Sequence, residues 1–336
     1  MKKFELVVLV FICLVVAACG KDSDSVSSVR VAYFPNITHA QALVMKGEGI
    51  LEKKLGGIKI EWRHFNAGPA EIDALFSGEI DIGYIGPVPA ISGYVKSGGG
   101  LRIIAAASNG GSALVVRKGS GINTVADLRG KTIAIPQFGN TQHLSLLSLL
   151  HVNNLSLLNI LHVDNLRHLA NNDMVKVVQA SNADIVKLMD KGRIDAALVP
   201  EPWGSIMELE YGADVLLDYD KVDARGIPST AVVIVARDFL DKHRGVVEKF
   251  MEAHREATLY INENPSAREI VNAQIAEVTQ DRINADILES AFKRLEITYQ
   301  IPSESIMNFA KTGVDENLIP ELPEANIIDD SFLKNE

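Results

Sequence analysis

The chain is nearly without cysteine. Its 336 residues include two, Cys13 and Cys19, both close to the N-terminus. Everything downstream therefore lacks a disulfide, a thiol nucleophile and any thiolate metal site. It also lacks a basic stripe. Lys and Arg number 33 against 43 Asp and Glu, a formal net charge of −10 that argues against a nucleic-acid partner. Past the first residues there is no apolar run of the roughly 20 residues a membrane-spanning helix needs. What is present is ample core material. Hydrophobic residues make up 47% of the chain, and its length fits two domains or two lobes.

The N-terminal residues are a separate object. Lys2 and Lys3 precede the short apolar run Leu6–Val16, which leads into Val16-Ala17-Ala18-Cys19. A positive start, a short apolar run and small residues before the cysteine read as an export signal. The last four also resemble a bacterial lipobox, whose cysteine carries lipid and becomes the mature N-terminus. The expected organisation is a lipoprotein signal peptide over 1–18, lipidation at Cys19 and a small polar tether over 19–28. The alternative is a plain signal peptide with a chance cysteine.

The body of the chain repeats itself. AEIDALFSGEIDIGYIGPVP (70–89) stands beside ADIVKLMDKGRIDAALVPEP (183–202). Each opens with apolar residues at helical spacing: Ile72, Leu75 and Phe76, then Ile185, Leu188 and Met189. Each helix stops at a glycine, Gly78 or Gly192, and a short apolar strand follows, closed by proline. A second pair lies upstream: VRVAYFPNITHAQAL (29–43) and KTIAIPQFGNTQHLSLL (131–147) both read as strand, polar cap and helix. This is βαβ material in both halves, which implies a parallel sheet in each. Two further strands, 112–118 and 229–237, look like ties between the lobes. That places lobe 2 at 113–234 and builds lobe 1 from 29–112 plus 235–336. Ligands of open α/β sheets sit beyond the carboxyl ends of the strands, where all four repeated loops fall.

A tandem copy interrupts the pattern. SLLSLLHVNNL (145–155) is followed by SLLNILHVDNL (156–166). An 11-residue insertion nearly preserves a helix's apolar face, so the copy is expected to lengthen a lobe 2 helix, or else to form a helical hairpin. Other apparent motifs fall away. Gly130-Lys131-Thr132 lacks the first glycine of a phosphate loop, since that place is Val125, and the segment leads into a strand. Gly98-Gly99-Gly100 reads as a turn. His143, His151, His162 and His168 on one helix would spread over about 37 Å, too far for one ion, so no metal is expected.

Taken together, YFPNITHAQAL, FNAGPAEIDALFSGEIDIGYIGPVPA, IAIPQFGNTQ and LVPEPWG resemble the solute-binding lipoproteins of bacterial ABC importers, within the aliphatic sulfonate, taurine and nitrate branch. The resemblance covers about residues 29 to 315. It implies an α/β, two-lobed periplasmic-binding-protein fold of type II with two interlobe crossing strands. It further implies a small anionic or zwitterionic ligand, an alkanesulfonate or taurine-like compound foremost, captured by hinge closure. Delivery would be to an ABC permease and its ATPase by a monomer anchored on the outer face of the cytoplasmic membrane. Nitrate or a pyrimidine precursor remains an alternative ligand. An enzyme on the same fold is the other alternative, but no triad, Cys cluster or cofactor motif supports one; neither catalysis nor a cofactor is expected.

The candidate ligand residues are those at the repeated loops. Asn36, Thr38 and His39 begin one helix and Asn140, Thr141 and Gln142 another; free N–H groups at two helix starts favour an anion. The bland reading is that they are ordinary caps. Gly86 and Pro87 form a second lobe 1 loop where backbone can approach a ligand, or only turn. Asn109 precedes the first tie and Thr230 lies on the second. Glu201 could hold an ammonium group and Trp203 could pack on an alkyl chain, or they face the hinge and the core instead. Arg63 and Arg225 are the cations that could fold into a cleft otherwise poor in basic residues.

Overall fold

The computed structural model describes residues 26–160, 173–223, 226 and 228–333. Cys19, the proposed signal segment, most of the tether, His162, His168 and Arg225 lie outside the described residues.

The chain opens with β1 (Ser28–Tyr33), a 3-10 turn at Ile37–His39, α1 (Ala40–Glu48), α2 (Ile50–Leu55), β2 (Lys59–His64), α3 (Gly68–Phe76), β3 (Ile82–Ile85), α4 (Pro87–Lys96) and β4 (Leu101–Gly110). It continues with β5 (Ser112–Val116), β6 (Thr132–Ile135), α5 (Thr141–Val152), β7 (Leu157–Ile160), β8 (Val175–Gln179), α6 (Asn182–Asp190), β9 (Ala196–Pro200), α7 (Trp203–Leu209) and β10 (Asp214–Leu217). Then come β11 (Ser229–Ala236), α8 (Arg237–Lys242), α9 (Arg244–Glu263), α10 (Ala267–Thr279), α11 (Ala285–Lys293), β12 (Leu295–Ile297) and α12 (Ser303–Asp315). Among the described residues these form two six-stranded sheets, ordered β12-β4-β11-β3-β1-β2 and β10-β5-β9-β6-β8-β7.

The repeated phrases occupy equivalent places. β3 lies parallel to β1 in the first sheet, and β9 lies parallel to β6 in the second. Both are buried along their length, as strands covered on both faces must be. The helices before them end as the sequence predicts: Gly78 (φ 74°) and Gly192 (φ 63°) take the left-handed conformation just past α3 and α6. β11 pairs antiparallel with β3 and β4 and belongs wholly to the first sheet. The chain thus crosses between sheets at Gly111 and again between β10 and β11. Two apolar clusters pack on the faces of each sheet, and Leu144 of α5 is buried in a cluster of the first lobe, beside Phe309 and Ile306 of α12.

The tandem copy does not lengthen a helix, nor does it open a helical hairpin. α5 stops at Val152, and Asn154 (φ 54°) turns the chain in the left-handed region. The second copy then begins as a strand: β7 pairs parallel with β8, Leu157 beside Val175 and Ile160 beside Val178. The same letters, Ser-Leu-Leu, are helix at 145–147 and enter a strand at 156–158. The open edge of β8 decides between them, because it offers unpaired backbone groups to whatever lies next to it.

Candidate functional site

The carboxyl ends of β1, β2, β3, β6 and β8 face one gap between the lobes, and a helix or 3-10 turn starts from each. Their first residues line one cleft, Asn36, Gly68, Gly86, Asn140, Thr141 and Asn182 among them. Four α-helices, α3, α4, α5 and α6, thus begin at the cleft; α3, α5 and α6 bring N–H groups without an intrahelical partner, whereas Pro87 and Pro89 leave the first turn of α4 only Val88 N–H, which faces Thr141 Oγ1. Its remaining polar walls are neutral: Thr38, His39, Asn66, Gln142 and Thr230. Among the described lining residues there is no Lys, Arg, Asp or Glu.

The two jaws share a motif finer than the repeat read from sequence. FPNITH (34–39) and FGNTQH (138–143) both place Asn two residues and His five residues after Phe. In both, the histidine Nδ1 accepts a backbone N–H, from Phe34 at 3.1 Å and from Gly139 at 3.0 Å. In both the ring contacts the phenylalanine, His39 stacked on Phe34 with centroids 4.5 Å apart and His143 edge-on to Phe138 with centroids 5.2 Å apart. A backbone N–H can only donate, so each Nδ1 is bare. Burial lowers the two histidines to about 3 and about 4, so both rings are neutral and carry their hydrogen on Nε2. His39 lines the cleft and His143 lies behind it.

The loops differ in their asparagines. Asn140 caps α5, its Oδ1 accepting His143 N–H at 2.8 Å, and its Nδ2 donates to Gln142 Oε1 at 3.1 Å. Gln142 Nε2 donates in turn to Ser112 Oγ at 3.0 Å. Asn36 caps nothing. Its Oδ1 instead accepts the indole N–H of Trp203 at 2.8 Å, across the gap between lobes. The lobes meet again at Thr141, whose Oγ1 lies 3.4 Å from Val88 N.

Other candidates have different work. Pro87 is the first residue of α4, where its missing N–H costs nothing, and it does not line the cleft. Asn109 points to the β12 side, donating to Glu296 at 3.1 Å. Thr230 reaches the cleft, but its hydroxyl donates to the Gly110 carbonyl at the crossing. Glu201 is fully buried and turned from the cleft: it accepts Ser205 N–H at 3.0 Å and lies 3.2 Å from Arg294 Nη1. Burial pushes its carboxyl up, opposed by those two partners. It has no oxygen to spare for a ligand's ammonium. Trp203 is 7% exposed and packs in the second lobe's core. Arg63 pairs with Glu61 and Glu79 at the surface.

Sequence reasoning missed Phe34, Asn66, Gly68 and Asn182. The last three sit just upstream of, or at the start of, the repeated helices. Extending the repeat a few residues earlier sets FNAGP (65–69) against VQASN (178–182) and exposes them. The Oδ1 of Asn182 is buried without a protein partner.

Two sheets joined by two crossings, with helix starts converging between them, form a two-lobed α/β fold with its candidate site in the cleft between the lobes. The NMT1-like family profile matches residues 22–276, and the chain belongs to that family. It is 23% identical to a putative aliphatic sulfonates-binding protein of Bacillus subtilis (strain 168), over 99% of this chain and 96% of that one. It is 30% identical to the taurine-binding periplasmic protein of Escherichia coli (strain K12), over 71% of this chain and 68% of that one. The alkanesulfonate-binding protein SsuA of Xanthomonas axonopodis pv. citri, solved bound to MOPS, shares the fold, with a TM-score of 0.73, 20% identity and coverage of 90% of this chain and 98% of that one. Among the described residues no helix is long and apolar enough to cross a membrane.

Proposed function

We propose that the protein captures a small organic anion, an alkanesulfonate, between its lobes and delivers it to an ABC permease. One observation carries this: three helix starts with free N–H groups, from both lobes, and a ring of neutral polar groups converge on a cleft with no charged side chain among its described walls. A sulfonate presents three oxygens that accept such N–H and O–H groups from several directions. The names of the relatives from B. subtilis and E. coli support the same class. Because Glu201 is committed to Ser205 and Arg294, an alkanesulfonate without an ammonium group fits better than taurine. Closure brings Asn36 to Trp203 and Val88 to Thr141, burying the ligand. Lipid on Cys19 would hold the protein on the outer face of the membrane.

Thermal unfolding with ethanesulfonate, taurine, nitrate, pyrimidines and divalent metals tests this reading. A ligand at 100 times its dissociation constant stabilises by about 2.7 kcal/mol. Stabilisation by ethanesulfonate, and less by taurine at equal concentration, is expected. Stabilisation by pyrimidines or metals alone would replace the ligand class.

A further inference from the structure

The segment Glu201-Pro202-Trp203 belongs to the second lobe, yet both its ends are bound to the first. At one end Glu201 meets Arg294, which follows α11. At the other, the indole N–H of Trp203 reaches Asn36, which follows β1. An indole nitrogen can only donate, so the atom of Asn36 that faces it must be the carbonyl oxygen. The amide orientation is thereby settled. The NH2 group points the other way, and no described protein group accepts from it. Asn36 lines the cleft.

From this geometry we infer that Trp203 is a positioning residue: it reaches over from the second lobe and sets the Asn36 amide so that its NH2 group faces the ligand. The inference rests on the anion reading of the cleft. Without the indole, Asn36 is free to turn, and its carbonyl oxygen would repel an anion. The contact needs both lobes, so the donor is fixed only on closure. Part of the ligand's selectivity is then assembled by the closing motion, with Trp203 touching Asn36 rather than the ligand.

The experiment uses the full chain in detergent, with ethanesulfonate as probe. There are two tryptophans, Trp62 and Trp203, so two indole N–H resonances are resolved by NMR. Trp62, on β2, donates to Glu52 of α2 and serves as the internal control. With ethanesulfonate at saturation, so that the lobes are closed, Asn36→Ala should move the Trp203 resonance and leave that of Trp62 in place; an unmoved Trp203 resonance in the saturated protein overturns the link. Calorimetry supplies the second arm. Trp203→Phe keeps an aromatic ring and removes only the donor, and should weaken ethanesulfonate binding about tenfold, the worth of an ordinary hydrogen bond. Asn36→Ala should weaken it similarly, and the double variant no further, because both remove one interaction. Losses that multiply in the double variant, or an unchanged Kd in Trp203→Phe, overturn the positioning role. If Trp203→Phe fails to fold, the Asn36→Ala resonance shift still decides. Wild-type protein that binds no sulfonate would sink the anion reading instead, a separate result from the resonance shift.

Discussion

At Gly86 the two lobes come close together. A Cβ there would lie 2.3 Å from Thr141 Oγ1, inside any real contact, while the backbone itself (φ −67°) suits any residue. Gly86→Ala should leave the unfolding free energy within about 0.5 kcal/mol of wild type, the range of substitutions that break nothing. It should still weaken ethanesulfonate binding by about tenfold or more, because Thr141 must be pushed away before the lobes meet. Calorimetry and urea unfolding on the same sample separate the two effects. A second residue-scale case is Glu71. It is fully buried, neither oxygen has a protein hydrogen-bond partner, and Oε1 fills the space a side chain at Gly83 would need. Burial raises its pKa well above the usual carboxylate value. Such a group binds a proton in the folded state that the unfolded state has lost. Its contribution is intact below about pH 4.5 and declines as pH rises. Glu71→Gln should therefore gain stability over wild type at pH 8 and show no gain near pH 4, read from thermal midpoints at both. His39 behaves differently. It stays neutral down to about 3, so ethanesulfonate affinity should be flat between pH 5 and 8; a break near 6.5 would place a titrating histidine in the cleft.

Elements were largely legible where they obey local rules. The two helix-glycine-strand units could be read because glycine past a helix and proline past a strand are local signals, and both sit where the sequence placed them. Asn140 could be read as a cap for the same reason, and its bond to His143 N–H makes the cost of losing it predictable. Asn140→Ala should destabilise by about 1 kcal/mol in urea unfolding, as lost caps do. β7 was not legible. Nothing in SLLNIL distinguishes it from SLLSLL; only the vacant edge of β8, a partner distant in sequence, makes it a strand. Asn36 was legible as a polar residue before a helix and not as what it is. Its partner, Trp203, lies in the other lobe, and no spacing rule connects the two.

Across the whole molecule, one guanidinium gathers three of the carboxylates that face it from the other lobe. Arg294, following α11 in the first lobe, stands 3.2 Å from Glu201, 2.7 Å from Glu208 and 3.2 Å from Asp218, all of the second lobe. Its carbonyl accepts Gly111 N–H at 2.8 Å, at the first crossing, and Glu201 N–H donates to Gly111 at 2.8 Å. The cluster therefore sits on the hinge. Arg294→Leu leaves Glu201 buried with its cation gone, which should cost about 3–5 kcal/mol in urea unfolding; adding Glu201→Gln should recover much of it. Sequence alone could name Glu201 as a candidate for a charged partner, but the cation that meets it is a residue of its own chain.

Under the proposed anion reading, a body of net charge −10 repels its own ligand. Nothing in the described walls of its cleft offsets this at long range, because helix starts and amide hydrogens act only over the first turn. Electrostatic steering therefore works against capture rather than for it. Added salt screens that repulsion while leaving the buried donors almost untouched. Stopped-flow association with ethanesulfonate should quicken as ionic strength rises, opposite to a protein that draws anions in with arginine and lysine. Such a scavenger loses nothing in brackish surroundings and is slowest in the most dilute.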